Sequence, residues 1–359
     1  MTEIRVCSES KTGPEMEVCL KNPRIAEDAS MESGQKVTWD CIWFGSYPQS
    51  EVVCETDKDR ISELIGGSYE HQYVTVSSAQ WDKIISAEYD NYGDAMVDGV
   101  KYRRLSKIDA VDIESEYGDC YEWGDDTVRY FRCEPIKWRV LNVNGTDAFL
   151  VADRALDDQK YNNADEGSVT WETCTMRSWL NGYDSSVNRH GTDYSHKNFI
   201  NAAFTPSECS AIKITEVINS DNIVYGTEGC YNTSDKIFLL SENEVCNSST
   251  ALPYGFVKSL STDDEARRCK SSTYAKAMGV MSCSQSQYLE NCFWWLRSPG
   301  VIDEAAGVDY DGSAYDHYSG IGADFTGIAV RPALHLDLSY SNIYRYAGTV
   351  SSDGGEDNL

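Results

Sequence analysis

Ile136-Lys137-Trp138-Arg139-Val140-Leu141-Asn142-Val143, followed by Asn144-Gly145 and then Ala148-Phe149-Leu150-Val151-Ala152, is the stretch on which the fold reading turns. Both halves are rich in β-branched and aromatic residues, and Asn-Gly favours the positive backbone angles of a tight hairpin turn. Two antiparallel strands are predicted. Working upstream, Val37-Thr38-Trp39-Asp40-Cys41-Ile42-Trp43-Phe44 alternates in the same way and ends at Gly45-Ser46-Tyr47-Pro48, which predicts a strand and then a turn. Between these strands, Trp81, Ile84, Ile85 and Tyr89 recur at helical spacing, so 76–90 is expected to be a short amphipathic helix. The stretch 91–130 is acidic, Tyr-rich and irregular. It reads as an insertion.

Downstream the period changes to that of helices. Trp171, Cys174, Trp179 and Leu180 fall on one helical face, with Thr170 placed to cap the start and Asn181-Gly182 to stop it. A second helix is expected over Ser207 to Ile212. Asp235-Lys236-Ile237-Phe238-Leu239-Leu240 then reads as a short buried strand, and Ser241-Glu242-Asn243-Glu244 as a capping box. Another short helix is expected over Ser272 to Met278. Phe293-Trp294-Trp295-Leu296-Arg297 and Ile328-Ala329-Val330-Arg331 close the series as strands, the second ending at Pro332. Strands, then helices, then strands is the order of an α+β fold rather than a doubly wound array.

Composition bounds the function. Hydrophobic residues make up 41% of the 359 residues, enough for a packed core. With 31 Lys plus Arg against 58 Asp plus Glu, the formal net charge is −27, which repels phosphate backbones and anionic lipid, so nucleic acid and membrane insertion are not expected. No stretch approaches the roughly 20 apolar residues of a membrane span, and MTEIRVCSES has no apolar core of a signal peptide. The 13 cysteines include no C-x-x-C pair, which removes the main support for zinc-ribbon or thioredoxin-type chemistry. Partial disulfide bonding and buried free thiols both remain open.

FGSYPQS (44–50), EPIKWRVL (134–141), TWETCTMRSWLNG (170–182), SDKIFLLSENEV (234–245), FWWLRSPG (293–300) and VRPALHLDLS (330–339) together resemble the DUF6273 family of Gram-positive gut-bacterial surface proteins, in one consistent order from about Trp39 to Tyr346. The Arg-Pro-Ala ending also resembles the broader C-type-lectin-like group, which includes formylglycine-generating enzymes and the variable proteins of diversity-generating retroelements. The resemblance implies a C-type-lectin-like fold, with short helices around irregular antiparallel sheets, a long insertion, and ligand binding on the irregular segment before the last strand. The expected organisation is a linker or extension over 1–39, one domain over 40–346 with the insertion at about 51–133, and a polar tail over 347–359. An extracellular or cell-surface location is expected, with any signal peptide or preceding domain absent from this chain.

Between Ala305 and Val330 the chain contains no Lys, Glu, Gln, Met or Trp, and Tyr, Asp, Ser, Gly and Ala dominate. That is paratope composition: Tyr gives contact area at low entropy cost, and Ser and Gly permit varied loop shapes. The candidate ligand-binding residues are Asp309, Tyr310, Tyr315, Asp316, His317, Tyr318, Asp324 and Phe325, facing a protein or glycan ligand. The same composition also describes a Gly-rich connection whose tyrosines cover the sheet. The missing residue types are those that adenine-directed mutagenesis of Asn codons cannot produce, so the segment fits the variable region of a diversity-generating retroelement. Trp294, Trp295, Arg297 and Arg331 are read as structural, with the two tryptophans on opposite faces of one strand and the two arginines held by carboxylates or carbonyls.

Catalytic motifs are sparse. The chain has no H-E-x-x-H, no G-x-S-x-G and no phosphate-binding G-x-x-x-x-G-K-[ST], and its five histidines are scattered. Non-catalytic binding is therefore expected. The alternative is a copper-dependent oxidase, because formylglycine-generating relatives use two cysteines near their C-terminal region and Cys283 and Cys292 occupy a comparable place; the surrounding Arg-Gly-Gly-Ser-Trp pattern of those enzymes is missing here. No cofactor is otherwise expected. Ca²⁺ is kept open at the acidic clusters Asp303-Glu304, Asp309-x-Asp311 and Asp221 to Glu228, since this hard cation takes oxygen ligands.

Overall fold

The hairpin sits at the centre of the larger of two principal sheets. A computed structural model describes residues 5–7, 17–67, 69, 71–110, 121–124, 127–164, 167, 169–246, 254–314 and 320–358. Strand Val128–Asn144 pairs antiparallel with strand Asp147–Ala152, and Asn144 is paired with Asp147. The two turn residues are thus Gly145 and Thr146 rather than Asn144 and Gly145, and Gly145 takes the positive φ of 61°. The register of the pairing, not the dipeptide, selects which residues turn.

On its other side Val128–Asn144 pairs with strand Gln35–Cys54, which runs for 20 residues. The turn expected at Gly45 is a correction. Gly45 has φ 67°, but the strand continues through a register shift between Trp43 and Ser46. A β-bulge and a turn make the same demand on glycine, and here a Cβ would lie 2.4 Å from the Phe204 ring. The residues on either side feed two opposite neighbourhoods. Gln35 to Trp43 serve the main core, and Glu51–Cys54 pair in parallel with strand Tyr73–Val76.

The stretch read as an irregular insertion is partly regular. Strands Asp94–Val97 and Val100–Ser106 form a hairpin, and the second pairs with Val128–Asn144, so both extend the same eleven-stranded sheet. Their polar sequences escape an alternation test because the charges inside are paired: Arg103 grips Asp94 through two hydrogen bonds of 2.5 and 2.9 Å, and Arg60 grips Glu51 through two of 2.9 and 2.8 Å. A small apolar cluster of Val52, Ile84, Val97 and Tyr102 packs behind them. Residues 111–120 of this stretch lie outside the described residues.

The stretches expected to flank the domain also take part in it. Strand Arg24–Glu27 pairs with the start of Gln35–Cys54, and strand Arg345–Ser351, which includes the first residues of the expected polar tail, pairs with its residues Thr38 to Trp43. Helices form over Ser78–Ile85, Thr175–Asn181, Pro206–Ala211, Glu242–Cys246 and Thr273–Met278. Cys174 rather than Thr170 caps the helix Thr175–Asn181, and Gly182 ends it in the left-handed conformation at φ 72°. The architecture is α+β, with mixed helices and mainly antiparallel sheets. Trp39, Trp138, Trp171, Trp294 and Trp295 are all fully buried in one continuous core.

Candidate functional site

The second principal sheet carries the Tyr/Asp/Gly/Ser-rich segment. Its order is Asp157–Asp158, Ala329–Val330, Trp294–Pro299, Glu304–Val308 and Ile321–Gly322. Every residue of Trp294–Pro299 is buried. Trp294 pairs with Val308 on one side and with Ala329 on the other. Past Val308 the chain returns to the edge of this sheet as Ile321–Gly322, which pairs with Glu304 and Ala305, and then reaches Ala329, which lies two strand spacings, about 10 Å in all, from Val308 across Trp294.

The frame is fixed by polar groups as well as by packing. Trp294 and Trp295 both lie at 0% exposure, and their indole N–H groups donate to the carbonyls of Arg267 and Gln159 at 3.2 and 3.0 Å. Arg331 stacks on Trp294 at 4.8 Å and donates to the Ala152 carbonyl at 2.8 Å. Arg297 donates to the Leu239 carbonyl at 2.7 Å and to Glu244 at 3.0 Å. These four residues form the foundation of the segment and do not meet solvent.

The outgoing limb is a turn over Asp309 to Gly312. The Gly312 amide donates to the Asp309 carbonyl at 3.0 Å, and Gly312 takes φ 91° where a Cβ would lie 2.1 Å from the Asp264 carbonyl. Arg267, fully buried, donates from Nε to the Gly312 carbonyl and reaches the Ser259 and Thr262 carbonyls at 2.9 and 2.6 Å. Tyr310 is half-buried, and its ring meets those of Tyr288 and Phe293, each at 5.4 Å. Burial, with Asp309 next to it, raises the Tyr310 phenol above its usual range.

The return limb is tied to a different partner. The Ala323 carbonyl accepts the Asn162 amide at 2.7 Å, and Asp158 accepts the Gly327 amide. Asp324 is half-exposed, and Phe325 stands 47% exposed on this limb. Of the eight candidate residues, then, Asp309 and Tyr310 belong to one limb and Asp324 and Phe325 to the other. Tyr315, Asp316, His317 and Tyr318 lie outside the described residues.

Sequence reading missed the residues that hold these limbs. Asp158, Asn162 and Arg267 are polar residues at or near complete burial, and Tyr288 and Phe293 complete the ring cluster. The signal was faint: Tyr288 directly after the polar run Ser284 to Gln287, and consecutive acids at Asp157-Asp158 directly after Ala155-Leu156.

The cysteine pairing differs from the one weighed above. Cys292 lies opposite Cys269: its amide donates to the Cys269 carbonyl at 2.8 Å and its thiol donates to the same carbonyl at 3.3 Å. Burial opposes ionisation of Cys269, but the Cys292 thiol and the guanidiniums of Arg331 and Arg139 outweigh it and lower its pKa, while Cys292 is raised. The cysteines whose side chains are described are free thiols. Among the described residues no group of three or more His, Cys, Asp or Glu is arranged to hold a metal ion, and Asp221 and Glu228 are exposed.

A family model described as a domain of unknown function, DUF6273, matches residues 145–338. No curated protein and no solved structure matches the chain. The matched stretch holds the helix Thr175–Asn181, both frame strands and the whole segment between them, while FGSYPQS and EPIKWRVL precede it. Covering more than half of the sequence, it shows that this chain belongs to the DUF6273 family.

Proposed function

We propose that this chain is a non-catalytic ligand-binding module whose recognition surface is the segment 301–326, presented outside the cell to a protein or glycan ligand. The observation that carries the reading is the placement of Val308 and Ala329 on either side of buried Trp294. A stiff base with a long, aromatic-bearing excursion keeps the entropy lost on binding small. The two-limbed excursion between frame strands also supports the C-type-lectin-like reading of the fold, and the segment's composition supports active diversification by a retroelement. Ca²⁺ is proposed as an accessory only where a ligand itself supplies oxygen atoms.

The test is a glycan and protein array probed with the full chain, followed by Tyr310→Ala and Phe325→Ala. Each is expected to weaken capture by about 1–3 kcal/mol as an interface anchor, with circular dichroism unchanged. Unaltered capture by both variants, and by a Tyr315→Ala/Tyr318→Ala pair, would refute the assignment. A near-repeat of the DNA encoding 301–331 beside a reverse-transcriptase gene is the expected genomic signature of diversification.

A further inference from the structure

A separate cleft of about 720 Å³ opens between the insertion and the body of the domain, on the other face of the strand Asp157–Asp158. The insertion reaches across it: Asn91 Nδ2 donates to the His196 carbonyl at 3.3 Å, and Lys101 Nζ to the Ala202 carbonyl at 2.7 Å. These struts hold the two walls apart and at a fixed spacing. The volume falls within the roughly 300–1,000 Å³ of small-molecule sites.

The floor is built from buried polar groups. Asp157, 2% exposed, accepts from the Tyr47 hydroxyl, from Gln159 Nε2 at 3.2 Å and from the Asp158 amide at 2.8 Å. Arg103 lies over the rings of Tyr47 and Tyr274, at 5.5 and 5.8 Å, and Asp94 neutralises it from behind. The floor thus presents a carboxyl group whose donors are already in place and a guanidinium whose charge is matched. At the rim, Asp90 and Asp109 stand against Arg104 and Lys197. Neither an anion nor a cation finds net attraction here.

Aromatic surface and bifunctional polar groups make up the rest. Tyr92, Trp179 and Tyr194 line the walls, and Asn91 and Gln159 add amide groups that both donate and accept. Ring faces suit the C–H faces of a pyranose, and carboxyl and amide groups suit hydroxyls that donate and accept at once. We propose that this cleft binds a neutral saccharide of one or two rings, with Asn91 and Gln159 receiving its hydroxyls and Tyr92 and Tyr194 packing on its apolar face. The site is independent of the segment 301–326, from which the two-residue strand separates it.

Calorimetric titration of the full chain tests this with glucose, galactose, mannose and N-acetylglucosamine, with cellobiose, maltose, lactose and N,N′-diacetylchitobiose, and with inorganic phosphate and neutral N-acetyl amino acid amides as comparison probes. At least one saccharide is expected to bind and the comparison probes are not. Gln159→Ala is expected to weaken that saccharide at least about tenfold. Ser106→Trp, which fills the cleft from its wall at a side chain that makes no capping bond, is expected to do the same with the fold intact. The proposal is overturned if no saccharide binds at millimolar concentration, if phosphate or the amides bind more tightly than every saccharide, or if folded Ser106→Trp binds the saccharide as well as the parent does.

Discussion

Both carboxylate oxygens of Asp158 accept the Gly327 amide, at 2.9 and 3.2 Å, and so pin the end of the return limb to the strand that floors the neighbouring cleft. Burial pushes the Asp158 carboxyl well above the usual carboxylate range; the Gly327 amide pulls the other way, and Asp157 adds to the rise. Gly327 holds φ 86°, with Met281 Cγ 2.9 Å from where a Cβ would stand. The contact is thus conformational as well as polar.

Gly327→Ala is expected to lower unfolding free energy by about 1–3 kcal/mol, the range for a side chain forced into positive φ. Urea denaturation reads this directly. A variant as stable as the parent would mean that the limb relaxes without cost.

Arg267 makes four carbonyl contacts from a fully buried position, joining the turn at Gly312 to the backbone at Val245, Ser259 and Thr262. Arg267→Lys keeps the charge but loses the planar fork, so most of these carbonyls lose their donor. The expected cost is about 2–4 kcal/mol, each unmade buried bond contributing on the order of 1 kcal/mol or more. Thermal unfolding of Arg267→Lys and Arg267→Met should therefore give similar losses; full stability in the lysine variant would show that charge alone suffices.

Glu242 titrates where its effect can be followed. Burial raises its pKa from 4.5 to about 7, against the opposing pull of the Ile223 amide and the Asn222 side chain. The native carboxyl thus holds its proton at pH values where the unfolded chain has lost it. Its stabilisation is complete below pH 4.5 and is lost as pH rises to about 7. Relative to Glu242→Gln, the parent should lose up to about 3 kcal/mol across that window. Denaturation curves at stepped pH, compared between the two chains, give the sign.

Much of the fold was legible because the deciding interactions are local. The hairpin over 136–152 shows its alternation, and Thr205 with Glu208 and Ser241 with Glu244 cap their helices through side chains three residues apart. Gly45 was misread because Phe204, far along the chain, decides whether its positive φ makes a turn or a bulge. The hairpin over 94–106 was hidden by charge: Asp94 and Arg103 look like surface residues until each is seen to bury the other. At the candidate site, composition marked the segment, but its anchors come from Asp158, Asn162 and Arg267, which no spacing rule connects to it. The cleft is still less legible, since Tyr47, Ser106, Asp157, Trp179 and Tyr274 meet only after folding.

The fixed gap between Val308 and Ala329 has an engineering consequence. Closing a flexible loop costs entropy that grows only with the logarithm of its length, about 0.6 kcal/mol for each doubling. With Gly312 held by Arg267 and Ile321–Gly322 paired with Glu304 and Ala305, that cost is the main one a replacement between them adds. The scaffold therefore suits loop grafting: foreign peptides of unequal length can replace 315–319 and be selected for new specificities while the strand Ile321–Gly322 and the anchors at Gly312, Ala323 and Gly327 are kept.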